Sequence, residues 1–568
     1  MLKSKSLTEA DQGDLSALPT RKNLDRNYTR RVETQYGSGL AALSPFSPGS
    51  LILKLHMPNL LLVENNSLSK VCSFCIQEAQ TMKRCSACKT PYYCQKACQN
   101  RHWRQIHSRE CGILKKLPDV PPTAVRSLIV MLLRKKETLD SDEDGDWKAL
   151  ESHIGELQRD RKWEEILLQA RAGIEFTNFG AERMEEAVRW LCVMSTNAFR
   201  ITLPDNTPVG LCFSPTLALA NHSCNPNAFI VFDSRNISLR ALRPIKTDEQ
   251  IFISYIDPTE DIVSRQSRLK ERYFFICKCE KCERNENVYE SFLSYQLGEE
   301  DYDKRMDLLC ARKQLLMRAR YLATTLQSSP PVSQYLHNLR KASSLLEESK
   351  NLFEAQKQCQ LPMIINAASF CDPLTDVNIY ALSPYPDIMH ELYLKFVDAQ
   401  SFIFALITIL ALFLNCDVFT YPQPHHPVRV VRLLTIAKLL KHIASLSPNE
   451  LLQDIRQNSS LPSLEALQAR EDISKAVQDV DLINAFHAIM ILVWEEAKRS
   501  HGEDSIFMKE VDQEIKEVEE VQRLRGPVGG NLRRWMVDVE DAEGRKKAEI
   551  CFGGLRRLAG LAGKVMLP

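Results

Sequence analysis

Asn221-His222-Ser223-Cys224-Asn225-Pro226-Asn227 is a short polar knot between two apolar runs, Phe213 to Leu219 and Phe229 to Phe232. Polar side chains set between strand-like segments more often serve chemistry than packing, because a rigid scaffold can present them to a ligand. The asparagine amides and the histidine can read such a ligand. Cys224 is a candidate metal ligand whose partners must lie elsewhere in the chain.

Downstream, Cys277, Cys279 and Cys282 follow a basic, helix-like stretch from Ser264 to Arg272. They are one ligand short of a closed tetrahedral site. Cys192, Cys212 and Cys224 are the upstream candidates for the fourth. Cys224 is favoured because it sits in a polar turn, whereas Cys192 and Cys212 keep apolar company and read as small buried hydrophobes.

Upstream, residues 72–111 hold Cys72, Cys75, Cys85, Cys88, Cys94, Cys98, His107 and Cys111, enough for two tetrahedral zinc sites. Four successive pairs suggest interleaving, with Cys72, Cys75, Cys94 and Cys98 on one ion and Cys85, Cys88, His107 and Cys111 on the other. In either pairing every position is filled, so these ions are structural.

Around these clusters the text alternates. Short apolar runs broken by Gly and Pro, such as Leu51-Ile52-Leu53-Lys54-Leu55, read as strands between Arg30 and Val63. Between them, Gly37-Ser38-Gly39 is either a hairpin turn or a close backbone approach to a ligand. Gly112 to Leu191 reads as polar and helical, anchored by Trp147, Trp163 and Trp190 and broken by acids from Asp140 to Asp146. Strands resume at Asn197-Ala198-Phe199-Arg200-Ile201 and run to Gln250-Ile251-Phe252-Ile253-Ser254-Tyr255 without long helices between them. That spacing predicts small antiparallel or mixed sheets and an α+β chain, not a doubly wound sheet. From Asn285 to about Arg525 helical periodicity dominates. Residues 526–568 carry no assignable pattern.

The 568 residues are 44% hydrophobic and 26% charged with a net charge of +1, which excludes general disorder and argues against a dedicated nucleic-acid binder. Lys83, Arg84, Lys89, Arg101 and Arg104 read as a solvated basic face. Met1 to Arg31 lacks the apolar core of a signal peptide. The run Phe402 to Leu414 is shorter than the ~20 residues a membrane span needs and reads as a buried helix. Tight C-x2-C pairs among 18 cysteines point to reduced thiolates on metal. The expectation is a soluble intracellular protein.

The order of these motifs resembles the SET-and-MYND (SMYD-type) lysine methyltransferases. It comprises Gly-x-Gly, an inserted double-zinc block, Asn-Ala-Phe, Asn-His-Ser-Cys-Asn-Pro-Asn, a strand ending in Tyr255, then Cys-x-Cys-x2-Cys. The resemblance implies a polar tail at 1–25, SET segments at 26–71 and 191–262, a MYND finger at 72–111 and a helical insertion at 112–190. A post-SET zinc segment at 263–285, a TPR-like helical domain at 286–525 and an unassigned tail at 526–568 complete it. It further implies that Gly37, Ser38 and Gly39 line an S-adenosylmethionine pocket, that Asn197, Asn221 and His222 hold the cofactor, and that Phe275 packs near its adenine. Phe199, Tyr255 and Tyr273 would line a lysine channel, with Tyr255 catalytic, and Cys224 would join Cys277, Cys279 and Cys282 on a third zinc. The implied partners are lysine-bearing proteins, histones among them, and proline-rich peptides on the finger. No membrane or direct nucleic-acid partner is expected of the monomer, which would act in nucleus and cytoplasm. The competing expectation is an inactive adaptor that uses the finger to recruit proteins. Ser38 is a departure, since the family commonly places Arg or Lys there.

Overall fold

The computed structural model describes residues 29–34, 37–56, 58–134, 147–295, 304–328, 331–456, 464–526 and 530–566. The polar tail at 1–25 and the acidic break at Asp140 to Asp146 lie outside them.

Among these residues the strands are β1 (Thr29–Thr34), β2 (Gly37–Ala42), β3 (Leu51–Leu55), β4 (Leu60–Val63), β5 (Lys83–Arg84), β6 (Tyr92–Tyr93), β7 (Phe199–Thr202), β8 (Pro208–Phe213), β9 (Asn221–His222), β10 (Ala228–Asp233), β11 (Asn236–Ala241) and β12 (Phe252–Ile253). They form small sheets, β1-β2, β10-β11-β3, β4-β8-β7, β5-β6 and β12-β9, as the spacing predicts. All pair antiparallel except β9 and β12, whose parallel register sets Asn221 opposite Phe252 and His222 opposite Ile253. That pairing brings the knot alongside the strand leading to Tyr255. Apolar residues from separate sheets, including Ile52, Leu53, Val63, Ile201, Leu239 and Ile253, meet in one core beneath it. β-Branched and aromatic side chains are concentrated in β7 (FRIT) and β10 (AFIVFD), where they fill a pleated surface, whereas β3 and β4 rely on leucine.

Residues 72–111 dock on the tip of the β10–β11 hairpin. Ser234, in a left-handed turn conformation at φ 59°, donates its hydroxyl to the Cys75 carbonyl. Arg235 donates to the Phe74 carbonyl at 2.8 Å and stacks over the Phe74 ring at 4.4 Å.

The segment 112–191 is helical as expected but not uniformly polar. Helix Thr123–Leu133 is buried from Val125 to Leu132, because β4 and helices Lys162–Thr177 and Met184–Asn197 cover it. Trp147 and Trp190 meet edge to face at 5.1 Å.

The C-terminal half forms one helical unit with a continuous apolar core from Tyr289 to Val565. The stretch that carries no pattern in sequence closes this core. Helices Asn531–Val537 and Ala542–Ala559 insert Trp535, Phe552 and Leu555, all fully buried. The apolar run at Phe402 continues to Thr420, long enough in residues to cross a membrane, and 83% of its apolar window is buried against its neighbours. It is the central helix of the unit.

Two outcomes are expected. Trp535→Ala removes a fully buried indole and lowers stability by about 3–5 kcal/mol in chemical denaturation, although no motif lies nearby. Burial holds the His487 imidazole at about 4, below its ordinary 6.5, so between those pH values it is neutral in the folded state and charged in the unfolded one. Stability is therefore full above pH 6.5 and falls as pH drops toward 4, because the unfolded chain protonates first. His487→Gln flattens that slope by about 1.4 kcal/mol per pH unit over the window, read from urea midpoints at each pH.

Candidate active site

The knot is held from several sides. The Asn221 amide donates to the Ser38 carbonyl at 3.3 Å, tying β9 to β2. Asn227 donates to the Gln250 carbonyl at 2.9 Å and accepts from the Phe252 amide at 2.7 Å. His222 uses both ring nitrogens: Nδ1 accepts the Tyr255 backbone N–H at 3.1 Å, and Nε2 lies 3.3 Å from the Cys224 sulfur. An accepting Nδ1 leaves the proton on Nε2, which then points at the Cys224 sulfur. Burial keeps this imidazole neutral, with its pKa lowered to about 4.

Tyr255 is fixed at three points. His222 takes its N–H, its carbonyl accepts from the Tyr273 hydroxyl at 3.2 Å, and its own hydroxyl donates to the Ala220 carbonyl at 2.9 Å. Its ring lies 5.3 Å from His222 on one side and 4.9 Å from Tyr273 on the other. Burial pushes its phenol well above the usual value, so it stays protonated at neutral pH.

The candidate residues separate into two groups that meet at Tyr255. Phe199, Tyr255, Tyr273 and Asn197 line a cavity of about 460 Å³, whose far wall is Tyr421, His426, Pro427 and Val428 from the helical unit. The Asn197 amide nitrogen is occupied by the Val193 carbonyl and the Thr196 hydroxyl. Ser38, Gly39, Asn221, His222 and Phe275 form the other group. Phe275 follows Phe274, which takes the left-handed φ of 61° and turns the chain so that the Phe275 ring lies 5.9 Å from His222. Gly37, at φ 89°, makes the β1–β2 turn. A Cβ on Gly39 would lie 2.5 Å from Nε2 of Gln250, so a side chain there would have to push the Gln250 amide aside. Ser38 is flanked across the hairpin by Arg31, whose guanidinium donates to its hydroxyl at 2.6 Å. The Ser38 hydroxyl in turn donates to the Glu33 carboxylate at 2.9 Å, and Arg31 pairs with that carboxylate at 3.4 Å, so an ion pair stands beside this position.

Sequence reasoning missed Gln250. Its amide nitrogen is buried against Gly39 and has no acceptor among the described residues. An orphaned donor at the edge of Asn221, with an aromatic pair beyond it, suits a ligand that has a polar end and a flat ring. S-adenosylmethionine fits that description, and Ser38, Gly39, Asn221, Gln250 and Phe275 are the residues that would hold it.

Three four-ligand sets assemble with the expected memberships: Cys72, Cys75, Cys94 and Cys98; Cys85, Cys88, His107 and Cys111; and Cys224, Cys277, Cys279 and Cys282. In each, the donor atoms lie within 4.8 Å of one another. Sulfurs on a tetrahedral zinc at about 2.3 Å stand about 3.8 Å apart. The measured Cys75–Cys94, Cys85–Cys111 and Cys224–Cys282 separations of 3.6, 3.8 and 3.6 Å fit zinc. Cys192 and Cys212 stay buried outside these sets. The surrounding residues were not legible in sequence. Glu110 accepts from His107 Nδ1 at 2.8 Å, leaving Nε2 for the metal. Burial works against ionising Glu110, but the hydrogen bond from His107 and nearby positive charge hold its pKa below the usual carboxyl value. Arg265, almost fully buried, donates to Cys282 at 3.7 Å and offsets negative charge at the third set.

Fold and site together define a SET-domain protein that carries three zinc-type ligand sets. The SET-domain family matches residues 37–256. A fission-yeast (Schizosaccharomyces pombe) SET domain and MYND-type zinc finger protein 6 is 30% identical over 355 residues, 61% of this chain and 69% of that protein. The mouse histone-lysine N-methyltransferase SMYD3 is 28% identical over 420 residues, 72% of this chain and 86% of that one. The human N-lysine methyltransferase SMYD2 is 30% identical over 257 residues, 43% and 58% of the two chains. The chain belongs to the SET and MYND (SMYD-type) family.

Native mass spectrometry is expected to find three zinc ions per chain and two in Cys224→Ser. Because His222 and the loop bearing Phe275 are tied to that set, Cys224→Ser also weakens S-adenosylmethionine binding about tenfold by calorimetry, although Cys224 does not line the ligand wall.

Proposed function

We propose that this chain is an S-adenosylmethionine-dependent protein-lysine N-methyltransferase acting on histone or other protein substrates. The observation that carries the reading is the placement of Tyr255, immobilised at three points between an aromatic cavity and the Ser38–Gly39–Asn221 wall.

A lysine amine, with a pKa of about 10.4 in water, must be neutral to attack. The channel of Phe199, Tyr255 and Tyr273 excludes water from the amine and lowers its pKa. When bound, S-adenosylmethionine would supply a sulfonium methyl group to a neutral lysine amine attacking in line, with the neutral thioether S-adenosylhomocysteine as leaving group and the amine's extra proton passing to solvent. Tyr255 is not the base, since burial keeps it protonated. Its hydroxyl proton is already given to Ala220, so its oxygen lone pairs are the part that faces a substrate. They orient the amine and accept weak C–H···O contacts. Alignment in a dry channel then supplies most of the rate.

The 72–111 block acts as a MYND finger with a surface for proline-rich peptides, and the helices from Val288 onward act as a TPR-like domain facing the substrate. The same reading takes the protein as a monomer without direct nucleic-acid binding, active in nucleus and cytoplasm. The adaptor reading would leave the assembled cavity and its fixed tyrosine without a use.

Purified zinc-loaded protein is expected to transfer a labelled methyl group from S-adenosylmethionine to protein lysines. Tyr255→Phe should lower kcat about a hundredfold with cofactor affinity retained. Folded, zinc-loaded protein that binds no S-adenosylmethionine by calorimetry would falsify the proposal.

A further inference from the structure

The cavity that holds Tyr255 is shared between two parts of the molecule. One wall belongs to the sheets and the other, Tyr421 and His426 to Val428, to the helical unit. Its shape therefore depends on whatever holds that unit against the sheets.

Strands β10 and β11 supply the contact. Phe229 and Arg240 are direct partners in their register and so share one face. Phe229 lines the cavity and lies 6.3 Å from the His425 ring and 6.4 Å from the His426 ring. Arg240, half-buried beside it, donates to the Arg499 carbonyl at 3.1 Å, the Lys498 carbonyl at 3.3 Å and the Gly49 carbonyl at 3.1 Å. The first two are at the C-terminal end of helix Leu482–Ser500, where carbonyls lack helical partners and a cation is favoured.

The fit there is close on both sides. A Cβ on Gly49, which has φ 80°, would come within 2.6 Å of the Arg499 Cβ, and one on Gly502 within 3.0 Å of the Arg240 guanidinium. Further along the same face, Asp233 accepts the Ile506 amide at 2.9 Å at the start of helix Ile506–Leu524. Helix Leu482–Ser500 in turn packs along helix Pro427–Ala444, whose first residues are the cavity wall.

We propose that Arg240 is a positioning residue for the protein substrate. By capping helix Leu482–Ser500 it holds His426, Pro427 and Val428 at the distance from Phe229 that a lysine-bearing segment requires. It does so without touching the wall assigned to the cofactor. The inference rests on the methyltransferase reading for the identity of the substrate, but the latch itself is independent of it.

The test uses the full zinc-loaded chain with core histones as the protein substrate. Arg240→Ala is expected to raise KM for histone about tenfold or more, the scale of losing hydrogen bonds from a charged donor. Its kcat and its S-adenosylmethionine affinity should stay near wild type. Arg240→Lys, which keeps the charge, should recover much of the loss. Asp233→Ala, at the second contact, should share the KM phenotype. A histone KM that is unchanged in Arg240→Ala overturns the proposal. So does a loss of cofactor affinity that parallels the rise in KM and is not rescued by lysine. Hydrogen exchange gives an answer without turnover. Amides at 421–432 and 498–506 should exchange faster in Arg240→Ala while 221–256 keep their wild-type rates, and unchanged exchange at 421–432 also overturns it. A wild-type chain that methylates no protein would refute the methyltransferase reading instead, and the exchange result would still decide the latch.

Discussion

One neutral imidazole joins the two halves of the catalytic region. His222 accepts the Tyr255 amide on Nδ1 and faces the Cys224 sulfur with Nε2. Each contact specifies the other. A proton on Nδ1 would clash with the Tyr255 N–H, and a bare Nε2 would repel a thiolate, so only one tautomer satisfies both. Burial removes the charged alternative. The position of the tyrosine backbone is thereby coupled to the metal set formed by Cys224 and the 277–282 segment. Local folding and metal binding are one equilibrium in such a site.

The geometry of Tyr255 follows from that coupling. A phenol held only by packing could rotate or shift, whereas this one has its amide, carbonyl and hydroxyl each taken by a different residue, His222, Tyr273 and Ala220. The parallel pairing of β9 with β12 supplies the frame, since it is the register that lets residues more than thirty positions apart share these bonds. The same ligand set anchors the segment that carries Phe275 and Tyr273, so the proposed cofactor wall and the proposed lysine channel draw on a common support. The outer side of the channel has a different origin. It is built by a separate helical unit whose docking depends on carbonyl capping and close glycine contacts at β11, not on the metal sets.

How much of this could be read beforehand depends on the kind of signal. Zinc-type ligands are legible because tetrahedral coordination requires particular residue types; short spacing suggests the two sets within 72–111, and the polar turn around Cys224 singles it out as the partner of Cys277, Cys279 and Cys282. Strands were legible from alternation and turn residues, and the helices Pro427–Ala444 and Leu482–Ser500 from their periodicity. Helix Thr123–Leu133 was harder to place because it is covered on all sides and lacks a polar stripe that would set its phase. The helices after 530 were not legible at all. Their sequence mixes charges and glycines, and only contact with an existing core shows which face is buried.

Sequence by itself therefore determined the chemistry available: twelve metal ligands, a polar knot, and a tyrosine at the end of a strand. It could do so because ligand type and spacing are local properties of the chain. Tertiary structure alone decided that the knot binds in two directions, that Gln250 has a donor without an acceptor among the described residues, that Glu110 orients His107, and that Arg240 reaches the end of a helix some 260 residues away. These are properties of distance and direction between side chains, whether three residues apart as for Glu110 and His107 or hundreds apart as for Arg240 and Arg499. An amide, a carboxylate or a guanidinium reads the same in sequence whether it meets water or a partner, and only the fold excludes the water.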